Sequence, residues 1–165
     1  MVLERDEFIV TFDSTKVTEE ILIATIKKSG YTAQIVSDQP SEPVSVSNVP
    51  LPQGFPLLDD ALARAKKERK PIVLDFYAEW CAPCKKMEKT TFTDTKVKAL
   101  LERAIWLKID TDKEVELSKQ LEVVGLPDFR LVTPDGKTLR QLRGYLNADS
   151  FAAELEWLLK QSESK

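Results

Sequence analysis

Leu74-Asp75-Phe76-Tyr77-Ala78-Glu79-Trp80-Cys81-Ala82-Pro83-Cys84-Lys85 is the stretch on which the reading of this chain turns. It begins inside a nearly continuous apolar run, Ile72 to Tyr77, interrupted only by Asp75. Such a run suits a central strand covered on both faces. A helix is expected to begin at or near Cys81, so the cysteine pair opens a helix directly after a strand.

That position has chemical consequences. A thiolate, not a thiol, attacks a disulfide. A helix start offers unpaired N–H groups and the positive end of the dipole, both of which favour the thiolate. Cys81 is expected to be the exposed attacking thiol. Cys84, one turn later on the same face, can reach back to resolve a mixed disulfide. Pro83 is tolerated in a first turn, where its missing N–H had no partner. A bare C-x-x-C serves equally as two core cysteines or half a metal site. Trp80 before the pair, Pro83 within it and the strand–helix junction favour thiol–disulfide chemistry over both.

Outward from the pair, residues 57–165 read as one α/β domain. A helix is expected over 57–70, with Leu58, Ala61, Leu62 and Ala65 as its buried stripe and Pro71 as its stop. Further helices are expected over 96–102, 115–121 and 148–160, and a strand over 104–110. Strands over 129–132 and 138–142 flank Thr133-Pro134-Asp135-Gly136, a turn with hairpin chemistry. Residues 37–56, rich in Pro and Ser, read as an extended linker. Residues 1–36 read as a small module: a strand at Phe8–Phe12, a helix after Thr18 that ends at Gly30, and a second strand at Tyr31–Val36.

Bulk properties narrow the function. The 165 residues carry a formal net charge of −3 and no histidine. There is no basic field for nucleic acid or anionic lipid, and Cys–His catalysis is excluded. One thiol pair is neither a disulfide scaffold nor a closed zinc site, so no resident metal and no organic cofactor are expected. No apolar run is long enough to span a bilayer. The N-terminus is charged from Glu4 and does not read as a secretory signal. A cytoplasmic location is the direct expectation, with a periplasmic or membrane-anchored one as the alternative if a preceding segment has been removed.

The quoted stretch resembles the active-site signature of the thioredoxin superfamily. Its flanks, Lys70-Pro71-Ile72-Val73-Leu74-Asp75 and Lys85-Lys86-Met87-Glu88-Lys89-Thr90-Thr91-Phe92-Thr93-Asp94, are similar to the C-terminal domain of thiol:disulfide interchange proteins of the DsbD class. The resemblance covers about 57–159 and implies a thioredoxin fold, a central mixed sheet flanked by helices. It implies Cys81 as nucleophile, Cys84 as resolving thiol and Asp75 as the buried acid that moves protons for Cys84. A carboxyl in an apolar strand is expected to have a raised pKa. Trp80, Pro83, Leu126 and Pro127 become the substrate-facing positions, with Pro127 as a cis proline opposite the disulfide. The implied partners are protein dithiol or disulfide substrates and an upstream dithiol electron donor, and the implied direction is reductive.

Three positions depart from the family pattern. Asp128 stands where Thr is usual, which places a negative charge near the docking face. The lysine expected on the strand beside the buried acid is read as replaced by Trp106. Ala82 replaces a glycine between the cysteines, a position that influences redox poise.

The first module, through Phe8-Ile9-Val10-Thr11-Phe12-Asp13 and Ile26-Lys27-Lys28-Ser29-Gly30-Tyr31-Thr32-Ala33, resembles the second half of a heavy-metal-associated domain, a partial ferredoxin-like βαβ unit. Its own metal-binding loop is not in this sequence. Half of such a fold leaves a sheet edge open, which implies a late start. A competing function keeps the same cysteines but uses them to hold a soft ion such as Cu(I) or Hg(II). A redox-inert interaction protein is a third reading, opposed by the intact cysteine pair.

Overall fold

The structure is a computed structural model that describes residues 19–28 and 44–163. The chain divides into two units, Met1–Ser37 and Asp38–Lys165. In the first, the helix expected after Thr18 is present as α1 (Glu19–Lys28), with Lys27 and Lys28 in its last turn. The two strands expected beside it lie outside the described residues, and so does the ferredoxin-like pairing they would make.

The second unit is built on a five-stranded sheet. Its elements in chain order are β1 (Val44–Pro50), α2 (Pro56–Glu68), β2 (Ile72–Tyr77), α3 (Ala82–Lys89), α4 (Thr95–Leu101), β3 (Ile105–Asp110), α5 (Val115–Gln120), β4 (Asp128–Val132), β5 (Lys137–Arg143) and α6 (Ala148–Glu163). The strand order is β1-β5-β4-β2-β3. β2 pairs parallel with β3 and antiparallel with β4, and β4 pairs antiparallel with β5. This is the mixed sheet of a thioredoxin fold, with β2 near its centre.

The apolar run that marked β2 has the expected cause, because both sides of the strand are covered. Alternate residues of a strand face opposite ways. Val73 joins Phe129, Leu131 and Leu142 under α3, α4 and α6, whose Met87, Val97, Phe151, Leu155 and Leu158 complete that core. Ile72, Leu74 and Phe76 join Ile105, Ile109 and Val132 on the other side, under Leu58, Ala61 and Ala65 of α2 and Leu117 of α5. Phe92 anchors the first core edge-on, with ring centroids 5.0 Å from Trp106 and 5.5 Å from Phe151. Such pairs contribute about 0.5–1.5 kcal/mol each beyond their buried area.

The linker reading of residues 37–56 is corrected. Val44–Pro50 forms β1, an edge strand antiparallel to β5, with Val44 opposite Gln141 and Pro50 opposite Lys137. The sequence Val44-Ser45-Val46-Ser47 alternates with the period of a strand, a signal that the Pro and Ser content of the surrounding stretch obscured. Pro50 is compatible because it closes an edge strand. Leu51 continues into the core, its N–H bonded to the Gly136 carbonyl at 3.0 Å.

Element ends follow local chemistry. α2 stops at Arg69, in the left-handed region at φ 54°, before Pro71 is reached. Asp94 caps α4, its carboxylate accepting from the N–H groups of Lys96 and Val97 at 2.8 and 3.1 Å. In the β4–β5 turn, Gly136 has φ 84°, and a Cβ there would meet Leu62 Cδ2 at 2.8 Å. The positive φ favours glycine there.

Candidate active site

β2 ends at Tyr77, and four residues later Cys81 caps α3. Its N–H donates to the Ala78 carbonyl at 3.1 Å, which fixes the turn between strand and helix. Its Sγ accepts the backbone N–H of Cys84 at 3.2 Å. The helix start thus aims an otherwise unpaired donor at the sulfur. Pro83 lies in the first turn of the helix, where no N–H is needed. Cys81 and Cys84 are joined as a disulfide with Cα atoms 5.3 Å apart.

The expectation of an exposed Cys81 is corrected for this oxidised state. Cys81 is 3% exposed and Cys84 6%. They pack with Ala78, against Tyr77 and Leu126. The exposed neighbour is Trp80, at 69%. Its indole N–H donates to the Asp112 carboxylate, 3.0 Å to Oδ2, which fixes the ring beside the pair.

Leu126–Pro127 is a cis peptide bond. Leu126 is half-buried against the cysteines, and Pro127 is buried. The Pro127 carbonyl accepts from the Gly144 N–H at 2.9 Å. Among the described residues no hydrogen bond is made by the Leu126 N–H or carbonyl. The loop thus brings one unpaired main-chain unit to the disulfide.

Asp75 is 2% exposed, and its Oδ2 has no hydrogen-bond partner among the described residues. Burial pushes its pKa up to about 7, against the pull of the Lys108 charge and the Trp106 indole N–H, while Glu88 adds to the rise. Trp106 does act on the buried acid, but the same strand also supplies a cation. In the β2–β3 register Trp106 pairs with Val73, and Lys108 pairs with Asp75. The cation is therefore present, two residues further on. Lys108 is bonded to Glu88 of α3 and lies 4.5 Å from the centroid of the Tyr77 ring. Burial lowers its pKa, but the Glu88 hydrogen bond and the charges of Asp75 and Glu88 outweigh this and leave it raised.

The negative charge expected from Asp128 is also corrected. Asp128 is fully buried on the α2–α5 side of the sheet and adds no charge to the surface. Its Oδ1 accepts from Arg130 Nε at 2.8 Å and its Oδ2 from Gln141 Nε2 at 2.6 Å, with Arg143 Nε 3.4 Å from Oδ2. Glu88, Lys108, Asp112 and Arg130 were not singled out in the sequence as site residues. Lys108 was legible in principle, because alternation along β3 puts it on the face of Trp106. Asp112 and Arg130 carry no local signal.

Nothing supports the soft-metal alternative. The two sulfurs are bonded to each other, and among the described residues no group of three or more potential ligands could hold a metal ion. No helix among the described residues is long and apolar enough to cross a membrane.

Comparison with known proteins agrees with this geometry. A family model described as a thioredoxin-like domain matches residues 58–158. The thiol:disulfide interchange protein DsbD of Klebsiella pneumoniae is 38% identical over 107 residues, covering 61% of this chain. That of Salmonella typhi is 39% identical over 104 residues, covering 59% of this chain. The chain spans only 18% of the length of each of these relatives. Among solved structures, the reduced C-terminal domain of Neisseria meningitidis DsbD is 33% identical with a TM-score of 0.52, covering 61% of this chain and 92% of that one. A thioredoxin from Thermus thermophilus is 26% identical with a TM-score of 0.57, covering 63% of this chain and 85% of that one. With the family model spanning more than half of its residues, the chain belongs to the thioredoxin-like domain family.

Proposed function

We propose that this chain reduces disulfides in protein substrates and is recharged by an upstream dithiol protein. In the reduced state the Cys81 thiolate attacks one sulfur of the substrate disulfide. The other substrate sulfur leaves as a thiolate and takes a proton. Asp75, as the carboxylate, accepts the proton of Cys84. The Cys84 thiolate then attacks Cys81 Sγ, which releases the second substrate thiolate and closes the Cys81–Cys84 disulfide. Two electrons pass to the substrate, and the upstream dithiol returns them by the same exchange in reverse. No bound organic cofactor is needed.

The observation that carries this reading is the cysteine pair at the helix start, with Cys81 Sγ accepting the Cys84 N–H and Leu126 packed over it. The unpaired main chain of Leu126 can form strand-like bonds with an extended substrate segment. Trp80 and Pro83 complete the contact face. A carboxyl with a pKa of about 7 accepts and returns a proton near neutrality. The likeness to thiol:disulfide interchange proteins supports the exchange reaction. We read residues 1–36 as a separate module resembling half of a heavy-metal-associated domain, attached ahead of the catalytic unit.

Redox titration against a dithiothreitol or glutathione buffer tests the proposal. A reductant is expected near the thioredoxin value, about −270 mV. A potential near about −120 mV makes the chain an oxidant and overturns the direction. Cys81→Ser is expected to abolish reduction of insulin disulfides, while Cys84→Ser accumulates the mixed disulfide. Full activity in Cys81→Ser sinks the assigned order of attack.

A further inference from the structure

The loop that carries Leu126 follows α5 and runs into β4, and both of its ends converge on one buried ion pair. At its start, the carbonyl of Leu121, the C-cap of α5, accepts from Arg130 Nη2 at 2.7 Å. At its end, Asp128 directly follows Pro127 and holds Arg130 Nε at 2.8 Å. One guanidinium therefore ties the last residue before the loop to the first residue after it. Gln141 Nε2 fixes the second carboxylate oxygen at 2.6 Å. The loop between is exposed at Glu122, Val124 and Gly125, with Val123 and Leu126 half-buried. Glu122 sits at φ 51°, and Val124 is 77% exposed.

Packing alone does not account for this cluster. The cluster of Leu58, Ile72, Leu74, Phe76 and Val132 on the same side of the sheet is apolar, and apolar residues of similar volume often fill such space with equal or better stability than a buried ion pair. They cannot reproduce a planar fork that bonds a carboxylate in one direction and a carbonyl in another. We infer that Asp128 and Arg130 are positioning residues. Their pairing fixes the 122–127 loop and so presents the Leu126 main chain to extended polypeptide disulfides, selecting these over small disulfides that need no strand pairing. This inference rests on the exchange reading above.

The test compares two substrates of the full chain, insulin and hydroxyethyl disulfide. Asp128→Asn keeps the shape and removes the charge. It is expected to raise KM for insulin about tenfold with kcat within about twofold, the loss of about one hydrogen bond to the substrate main chain. Its rate with hydroxyethyl disulfide and its reduction potential stay at the parent values. Arg130→Lys keeps the charge but loses the fork, and is expected to show a smaller rise of the same kind, about threefold. It carries the test alone if Asp128→Asn does not fold. An unchanged insulin KM in the folded variants overturns the inference. So does an equal loss with both substrates, which places the effect on the cysteines or the fold. A parent chain inactive on both substrates defeats the exchange reading instead.

Discussion

Asp75 and Asp128 lie on neighbouring strands one step out of phase, Asp75 opposite Phe129 and Phe76 opposite Asp128. The offset turns their carboxyls to opposite faces of one sheet. Both are buried, and burial raises the pKa of both. They differ in their partners. Asp128 meets Arg130, Gln141 and Arg143, each of which pulls its pKa back down. Asp75 has one oxygen with no partner and a single lysine charge beside it. A saturated buried carboxylate is held in one protonation state and acts as a strut. An undersatisfied one near neutrality can exchange its proton. One sheet thus carries two acids with opposite duties, and it is partners rather than burial that separate them.

The largest expected effect comes from stripping the strut. Arg130→Met leaves Asp128 in a site built for an ion pair and is expected to lower unfolding free energy by about 3–5 kcal/mol, the usual loss for orphaning a buried charge. Urea denaturation at neutral pH measures it. A loss below about 1 kcal/mol, the scale of an exposed pair, would mean that Arg130 does not hold the charge, and the contrast between the two acids would fall.

Next comes the proton carrier, where the sign is reversed. The folded pKa of Asp75 is about 7, above the ordinary 3.8. Below pH 4 the carboxyl is protonated in both folded and unfolded chains and contributes nothing to pH dependence. As pH rises from about 4 through 7 the unfolded chain ionises first, and stability is lost. The limit of that loss is about 4 kcal/mol. Asp75→Asn removes it, so the oxidised variant is expected to gain up to about 4 kcal/mol at pH 8 relative to its own difference at pH 4. Release of the mixed disulfide by Cys84 is expected to slow by about 100-fold, the lower range for losing a general base. Equal stability differences at the two pH values would remove Asp75 from the proton path.

What the sequence revealed and concealed follows the range of each signal. The buried strand Ile72–Tyr77, the helix opened by Cys81, the hairpin turn at Thr133–Gly136 and the Phe151–Leu158 stripe are written in neighbouring residues, and the structure has all four. β1 was concealed because its short alternation lies in a Pro- and Ser-rich stretch and its partner, β5, lies far along the chain. The direction of the Asp128 side chain depends on strand parity, and its partners include Gln141 and Arg143 of the next strand. Alternation puts Lys108 on the face of Trp106, but its place opposite Asp75 depends on the register between β2 and β3, which has no local code. The Trp80–Asp112 bond likewise joins residues that only the fold brings together.

The subtlest expectation concerns the pair that tunes Asp75. Lys108 lowers its pKa and Glu88 raises it, yet the two are bonded to each other. If they act on Asp75 as one unit, removing either leaves the other's charge uncompensated. Lys108→Met takes away the positive charge and leaves Glu88 bare, so both changes push Asp75 upward, by about one pH unit for an opposite charge at this range. Glu88→Gln takes away the negative charge and frees Lys108 to favour the carboxylate, so Asp75 moves down, by a smaller amount because Glu88 is the weaker influence. Carbon NMR of the Asp75 carboxyl across pH 5–9 reads both midpoints directly. Shifts in the same direction would show that Lys108 and Glu88 reach Asp75 through packing around Tyr77 and α3 rather than through charge. Shifts in opposite directions would make the Glu88–Lys108 bond the setting that holds the proton carrier near neutrality while Asp128, on the other face, stays fixed.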